Sequence, residues 1–336
     1  HGNDIISGGT GNDEQHGGMG NDIVFFDASD QDIDGGWGYN TAMATGTAAV
    51  VLDLQDTRFQ VAHGTEANDR FYGGLTTSDL AVQISGHGGN DTIQGTRASD
   101  TLVGGDGGDN LVGGDGGDLL AGDAGNDTLS GQNGDDVLSG GDGSDNISGH
   151  AGDDAISGGD GADTLSGGGD DDNISAGRGD DLIYGGTGED IIDAGEGHDT
   201  IHTDWGDDSV SGGAGHDAIH VEGGGNKFVH AGDNNDSIYV SNNVAHHEIL
   251  GGRGTDRVYL NGSRNDYTVT YIQSEDYGIN QYLIQNDSND QMLLIQDIEA
   301  IVYGGSDTQW LVNRDSAADN SETFRPFEAD SRTGSD

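Results

Sequence analysis

From Ile93 onward an aliphatic side chain returns at every ninth residue, through Leu102, Leu111, Leu120, Leu129, Leu138, Ile147, Ile156, Leu165, Ile174, Ile183, Ile192, Ile201, Val210 and Ile219. The positions between them are mostly glycine or polar, so each unit of nine offers little more than one side chain to a core. A short strand with a single inward aliphatic buries nothing alone and must stack on copies of itself. The pattern therefore predicts a ladder of short parallel strands, in which nine residues make half a coil and eighteen a full one.

Two residues before each aliphatic stands an aspartate, fifteen in unbroken succession from Asp91 to Asp217. Mostly paired glycines fill the rest, as in Gly104-Gly105-Asp106-Gly107-Gly108-Asp109 and Gly140-Gly141-Asp142-Gly143-Ser144-Asp145, so the unit reads GGxGxDxUx with U aliphatic. Such a turn needs positive φ and carbonyls that converge on one point without a Cβ in the way, which glycine supplies. A short carboxylate at the end of the turn reaches the same point.

This repeat resembles the calcium-binding nonapeptide of the RTX family of secreted bacterial proteins. The resemblance implies an all-β fold, a right-handed parallel β-roll of about eighteen residues per coil, with Ca2+ intercalated between successive turns. Asp91, Asp109, Asp127, Asp145, Asp163, Asp181, Asp199 and Asp217 then form one edge, and Asp100, Asp118, Asp136, Asp154, Asp172, Asp190 and Asp208 the other. Eight and seven carboxylates leave seven and six gaps, so the central run has room for up to about thirteen calcium ions. Departures from consensus at Ala98, Asp170, Ala176, Ala194 and Thr203-Asp204 are expected to distort sites without breaking the coil. By the same resemblance the chain crosses a type I secretion channel unfolded and folds outside the cell or at the bacterial surface.

Outside the central roll of 88–222 the pattern is looser. Residues 1–24 carry three leading repeats keyed by Asp4, Asp13 and Asp22, with Gln15 at an inward position. Residues 25–87 read as a degenerate β-rich interruption, and 223–262 as degenerate repeats ending in a clean unit keyed by Asp256. Three runs in 263–312, beginning at Tyr267, Gln281 and Met292, predict a C-terminal β cap over the open end of the ladder. Residues 313–336 read as a polar, acidic tail. The chain opens on His1 with no charged-then-apolar leader and is read as a segment of something larger.

Composition narrows the function. The 336 residues hold 62 Asp plus Glu against 11 Lys plus Arg, a formal charge of -51, which repels nucleic acid and gathers cations. No cysteine is present, so metal ligation falls to oxygen donors that suit hard cations. No apolar run is long enough to span a membrane as a helix. No nucleophile elbow, zinc helix or phosphate loop appears, and with Asp at every ninth residue a carboxylate pair carries no catalytic information. The expectation is a non-catalytic calcium-binding scaffold. The alternatives are the accessory module of a secreted enzyme of the protease, lipase, peroxidase or alginate-epimerase kind, or a surface module that binds polysaccharide or sister subunits.

Two outward faces bear on those alternatives. One carries Thr92, Asn110, Thr128, Asn146 and Thr164 with Ser130, Ser148 and Ser166; the other carries Val103, Leu119, Ala121, Val137, Ala155 and Ile191, a surface suited to an adjacent domain of the same polypeptide or a second chain. His198 with His216 and His202 with His220 stand one coil apart, as solvated side chains or as a transition-metal patch.

Overall fold

The computed structural model describes residues 1–74, 80–241, 245–273, 280–289, 291–304 and 309–311. The expected tail 313–336 lies outside the described residues. The chain divides into two units, His1–Asp181 and Leu182–Asp336. Both are parallel β-solenoids in which most successive strands alternate between two long sheets.

In the first unit the strands Thr101–Asp106, Leu119–Ala124, Val137–Asp142, Ala155–Asp160 and Asn173–Arg178 stack in one sheet. Thr92–Gln94, Asn110–Asp115, Thr128–Asn133, Asn146–Ala151 and Thr164–Gly169 stack in the other. Partners differ by eighteen residues, as in Thr101↔Leu119 and Asn110↔Thr128. The aliphatic column points inward between the sheets: Ile93, Leu102, Leu111, Leu120 and Leu165 are fully buried.

Through residues 25–87 the winding largely continues, although Asp32–Asp34 pairs with Glu14–His16 in a separate two-stranded parallel sheet. Ile23–Phe26, Thr41–Ala44, Val61–His63 and Gln83–Gly88 continue one sheet, and Val51–Asp53 with Arg70–Tyr72 continue the other. Their partners Ile23↔Thr41, Val51↔Arg70, Thr41↔Val61 and Val61↔Gln83 lie eighteen, nineteen, twenty and twenty-two residues apart. The added length goes into the turns, one of which holds the single helical turn Leu54–Thr57. The core is larger here, with Phe26, Leu52, Leu54, Phe59 and Phe71 buried, so apolar packing holds coils that lack the Gly-Asp turn.

In the second unit Ile191–Glu196, Ser209–Ala214, Phe228–Asp233 and His246–Arg253 form one sheet. Thr200–His202, Ala218–Val221, Ser237–Val240 and Arg257–Leu260 belong to the other. The expected cap is divided. Met292–Gln296 pairs parallel with His246–Arg253 and Ala300–Tyr303 pairs parallel with Arg257–Leu260, so these two runs form a further coil. A hairpin of Tyr267–Gln273 and Asn280–Asn286 is inserted before that coil and adds to Met292–Gln296 antiparallel. Gln309–Leu311 adds antiparallel to Ala300–Tyr303. Antiparallel strands thus cover both sheet edges, which would otherwise present open hydrogen-bonding groups. Among the described residues no helix is long and apolar enough to cross a membrane.

Candidate metal sites

Each ladder aspartate stands immediately before its strand, where the chain leaves the glycine turn. From Asp91 to Asp163 its backbone N–H donates to Oδ1 of the aspartate one coil later. Asp91 donates to Asp109 at 2.6 Å, Asp109 to Asp127 at 2.7 Å and Asp127 to Asp145 at 2.8 Å. On the opposite edge Asp100 donates to Asp118 at 2.8 Å, Asp118 to Asp136 at 2.7 Å and Asp136 to Asp154 at 2.8 Å. One oxygen of each accepting carboxylate is thereby committed to the ladder, which fixes the direction of the other.

That other oxygen, Oδ2, is buried and accepts no hydrogen bond in Asp22, Asp91, Asp109, Asp118, Asp127, Asp136, Asp145, Asp154, Asp163, Asp217 and Asp236. A buried anionic oxygen without a partner is strongly disfavoured, and here the same orphan recurs at rung after rung. It faces into its own turn. A Cβ built on Gly104, Gly113 or Gly140 would collide with Oδ2 of Asp109, Asp118 or Asp145, and those on Gly113 and Gly140 would also crowd the carbonyl oxygen of Gly131 or Gly158 in the next coil. Gly107 holds φ at +131°, and a Cβ there would run into Gly89 O. The oxygens that border the space kept open by glycine are those of carbonyls and carboxylates, a donor set that fits Ca2+.

Burial raises the pKa of the carboxyls from Asp91 to Asp163 despite the hydrogen bond from the preceding coil. Asp91, Asp118 and Asp236 are pushed up to about 7, with neighbouring carboxylates adding to the shift. Asp127, Asp136, Asp154 and Asp163 are pushed up to about 6 for the same reasons. Without a cation, each turn resists the charge on its own aspartate.

The leading repeats are more open: Asp4 is exposed and donates its N–H to Asp22 Oδ1 at 2.8 Å, Asp13 is half-buried and Asp22 is buried. In the first unit Asp69 shares an edge with Asp91, and in the second Asp236 shares one with Asp217 and Asp256, though the turns of Asp69 and Asp236 lack the full glycine consensus. Asp69 N donates to Asp91 Oδ1 at 2.7 Å, and Asp217 N to Asp236 Oδ1 and Asp236 N to Asp256 Oδ1, both at 2.9 Å. The signal left in the sequence is the apolar residue two places on, Phe71 and Ile238.

At four rungs a side chain of the protein fills the place facing the turn. Thr96 N and Oγ1 donate to Asp100 Oδ2 at 2.5 and 3.0 Å, and Thr65 N and Oγ1 donate to Asp69 Oδ2 at 2.6 and 3.2 Å. Asn40 replaces an aspartate altogether: its Oδ1 accepts from Asp22 N at 2.9 Å, while its Nδ2 donates to Gly36 O and Arg58 O, both at 3.3 Å. At the fourth, Lys227 Nζ lies 2.5 Å from Asp208 Oδ2. Asp69, Asp100 and Asp208 accordingly have no orphaned oxygen.

His198 and His216 stack at 5.1 Å, and Nδ1 of each accepts a turn N–H, from His216 at 2.8 Å and from Asn235 at 3.0 Å. Asn3 does the same for Asn21 N at 2.9 Å. His202 and His220 belong to a row of stacked rings, Tyr184, His202, His220, Tyr239 and Tyr259, with centroids 4.5–4.9 Å apart. His202 Nδ1 is 2.7 Å from Glu222 Oε1. Among the described residues the one close three-ligand group of His and carboxylate is Glu14, His16 and Asp32, all exposed.

Comparison with known families gives a match to the RTX calcium-binding nonapeptide repeat over residues 2–30 and, in overlapping copies, over 85–219. Residues 2–30 and 85–219 are RTX calcium-binding repeats. Their turns are the glycine turns described above, and the matches indicate no catalytic family. A search of curated proteins gave no match. A solved structure, described as a hyperactive, Ca2+-dependent, β-helical antifreeze protein from an Antarctic bacterium, aligns over 95% of this chain and 96% of that one, with a TM-score of 0.53 at 20% identity. That likeness is one of fold.

Proposed function

We propose that this chain is a calcium-triggered β-roll that folds after export and serves as an extracellular or cell-surface scaffold without chemistry of its own. The observation that carries the reading is the recurrent buried Oδ2 facing a carbonyl-lined turn. The ligands are drawn from Asp4, Asp13, Asp22, the fifteen aspartates from Asp91 to Asp217 and Asp256, with Asp236 added by position; Asp100 and Asp208 are the exceptions within the run, their Oδ2 being paired already with Thr96 and Lys227. Ca2+ in the gaps of the central run supplies the positive charge that each carboxylate lacks. Thirteen ions would bring the formal charge from -51 to about -25 and remove much of the repulsion that keeps the metal-free chain expanded.

Extracellular calcium modules bind at about 0.1–1 mM, so sites of that strength stay empty in a cell and fill outside it. That difference suits a chain that passes a type I secretion channel unfolded. Calcium titration followed by circular dichroism tests the reading: disorder in chelator and a cooperative gain of β signal with Ca2+ support it, and a spectrum indifferent to calcium refutes it. A second reading concerns the outer face, where Thr92, Asn110, Thr128, Asn146 and Thr164 are in direct register and Ser130, Ser148 and Ser166 run beside them. This flat array of hydroxyls and amides suits a polysaccharide. Glycan-array binding tests it, with thermal hysteresis measured in parallel because the structural neighbour is an antifreeze protein.

A further inference from the structure

Asp208 differs from its neighbours because the cation at its carboxylate belongs to the chain. Lys227 Nζ lies 2.5 Å from Asp208 Oδ2, 2.5 Å from Gly206 O, 3.0 Å from Asp204 O and 3.1 Å from Gly224 O. Both side chains are completely buried. In 336 residues this is the sole lysine.

Register places it there. Ser209 pairs with Phe228, so Asp208 and Lys227, each just before its strand, are successive rungs of one edge. Where the repeat calls for a carboxylate, the chain has an ammonium. Its backbone N–H still behaves as a rung and donates to His247 Nδ1 at 3.2 Å. Further along, Phe228 pairs with Glu248 and Glu248 with Leu294, so the row beyond Asp208 reads Lys227, His247, Leu293 and holds no further carboxylate.

The surroundings are those of a cation site. An ammonium has donors only, and a buried one persists only when paired and fully hydrogen-bonded. Here two carbonyls of the turn ending at Asp208, one carbonyl of the next turn and the Asp208 carboxylate converge on Nζ. The same turn lacks its first glycine, Thr203 standing in that place, and Thr203 Oγ1 is engaged with Glu222 O at 3.4 Å.

We propose that the Lys227 ammonium is a tethered cation that takes the place of calcium in the turn ending at Asp208 and closes this carboxylate column with a rung that needs no metal. The proposal rests on the reading of the glycine turns as calcium sites. It adds that this turn does not take up Ca2+, and that carboxylate in place of the amine would turn it into a site that does.

The experiment counts calcium per chain by native mass spectrometry and equilibrium dialysis on the full chain, for the wild type, Lys227→Asp and the double variant Thr203→Gly/Lys227→Asp. The expected result is one more bound calcium in at least one of the two variants than in the wild type. Calcium binding by the wild type with no increment in either folded variant overturns the inference and leaves the calcium reading standing; no calcium in any of the three overturns both. Acetylation of the wild type gives a check that does not depend on a variant folding. Lys227 should be protected in calcium and fully modified in chelator plus denaturant, and a freely reactive Lys227 in the calcium-loaded chain overturns the inference.

Discussion

Removing calcium at neutral pH should unfold most of the roll, and acid should restore part of it. The magnitude follows from the ladder. Seven carboxyls are raised by burial from an ordinary value of 3.8 to about 6 or about 7. At pH 7 each opposes folding of the metal-free chain by roughly 2 kcal/mol once solvent screening is allowed for. Together they oppose it by roughly 14 kcal/mol, as much as the whole net stability of an ordinary domain, about 5–15 kcal/mol. The sign is set by the direction of the shift. Because the folded values lie above the unfolded one, the penalty is absent below about pH 4, grows as pH rises through the folded values and is complete above about 7. Circular dichroism in chelator, titrated from pH 7.5 down to 5, should therefore show a gain of β signal, while the calcium midpoint rises over the same range as protons compete for Oδ2. A metal-free chain that keeps its full β signal at pH 7.5, or that loses signal on acidification to pH 5, refutes the reasoning.

Other outcomes follow from single sites. Magnesium at the concentration that saturates folding with calcium should restore little β signal, because its rigid octahedron and tightly held water fit a carbonyl-lined turn poorly. Leu138→Ala removes a fully buried rung of the core and should cost about 2–5 kcal/mol in thermal denaturation at saturating calcium. Thr96→Val leaves Asp100 Oδ2 without its hydroxyl donor and should cost about 1–3 kcal/mol by the same measurement. Leu119→Ser/Val137→Ser alters two exposed side chains in register on the outer face; stability should change by less than about 0.5 kcal/mol per site, and any calcium-dependent self-association seen by light scattering should fall.

The sequence makes the central roll legible because there two columns, aliphatic and carboxylate, repeat without error. Inward-pointing Leu120 or Ile147 and the eighteen-residue register could be read directly. What stayed hidden is what does not repeat. In 25–87 the coils are held by Phe59 and Phe71 and vary in length, so a search for nine-residue spacing sees only an interruption. The coil formed by Met292–Gln296 and Ala300–Tyr303 is separated from its predecessor by a hairpin, which makes its strands look like part of an independent cap. Lys227 escaped because a one-residue insertion shifts it off the period and its charge is opposite to the one the pattern demands.

The fillings of the turns imply an order of assembly. In 40–100 the rungs are satisfied by Asn40, Thr65 and Thr96, and the core carries Phe59 and Phe71; among the described residues of that stretch before Asp91, none leaves an orphaned carboxylate oxygen. From Asp109 to Asp163 every rung does. Neutral donors and apolar packing act at any calcium level, whereas the orphaned rungs are held only when a cation arrives. Hydrogen exchange along a calcium titration should therefore show protection in 40–90 at lower calcium than in 109–163, with the second block gaining protection as one steep step. Simultaneous protection of both, or protection of 109–163 first, would show that the side-chain fillings do not make their coils independent of the ion.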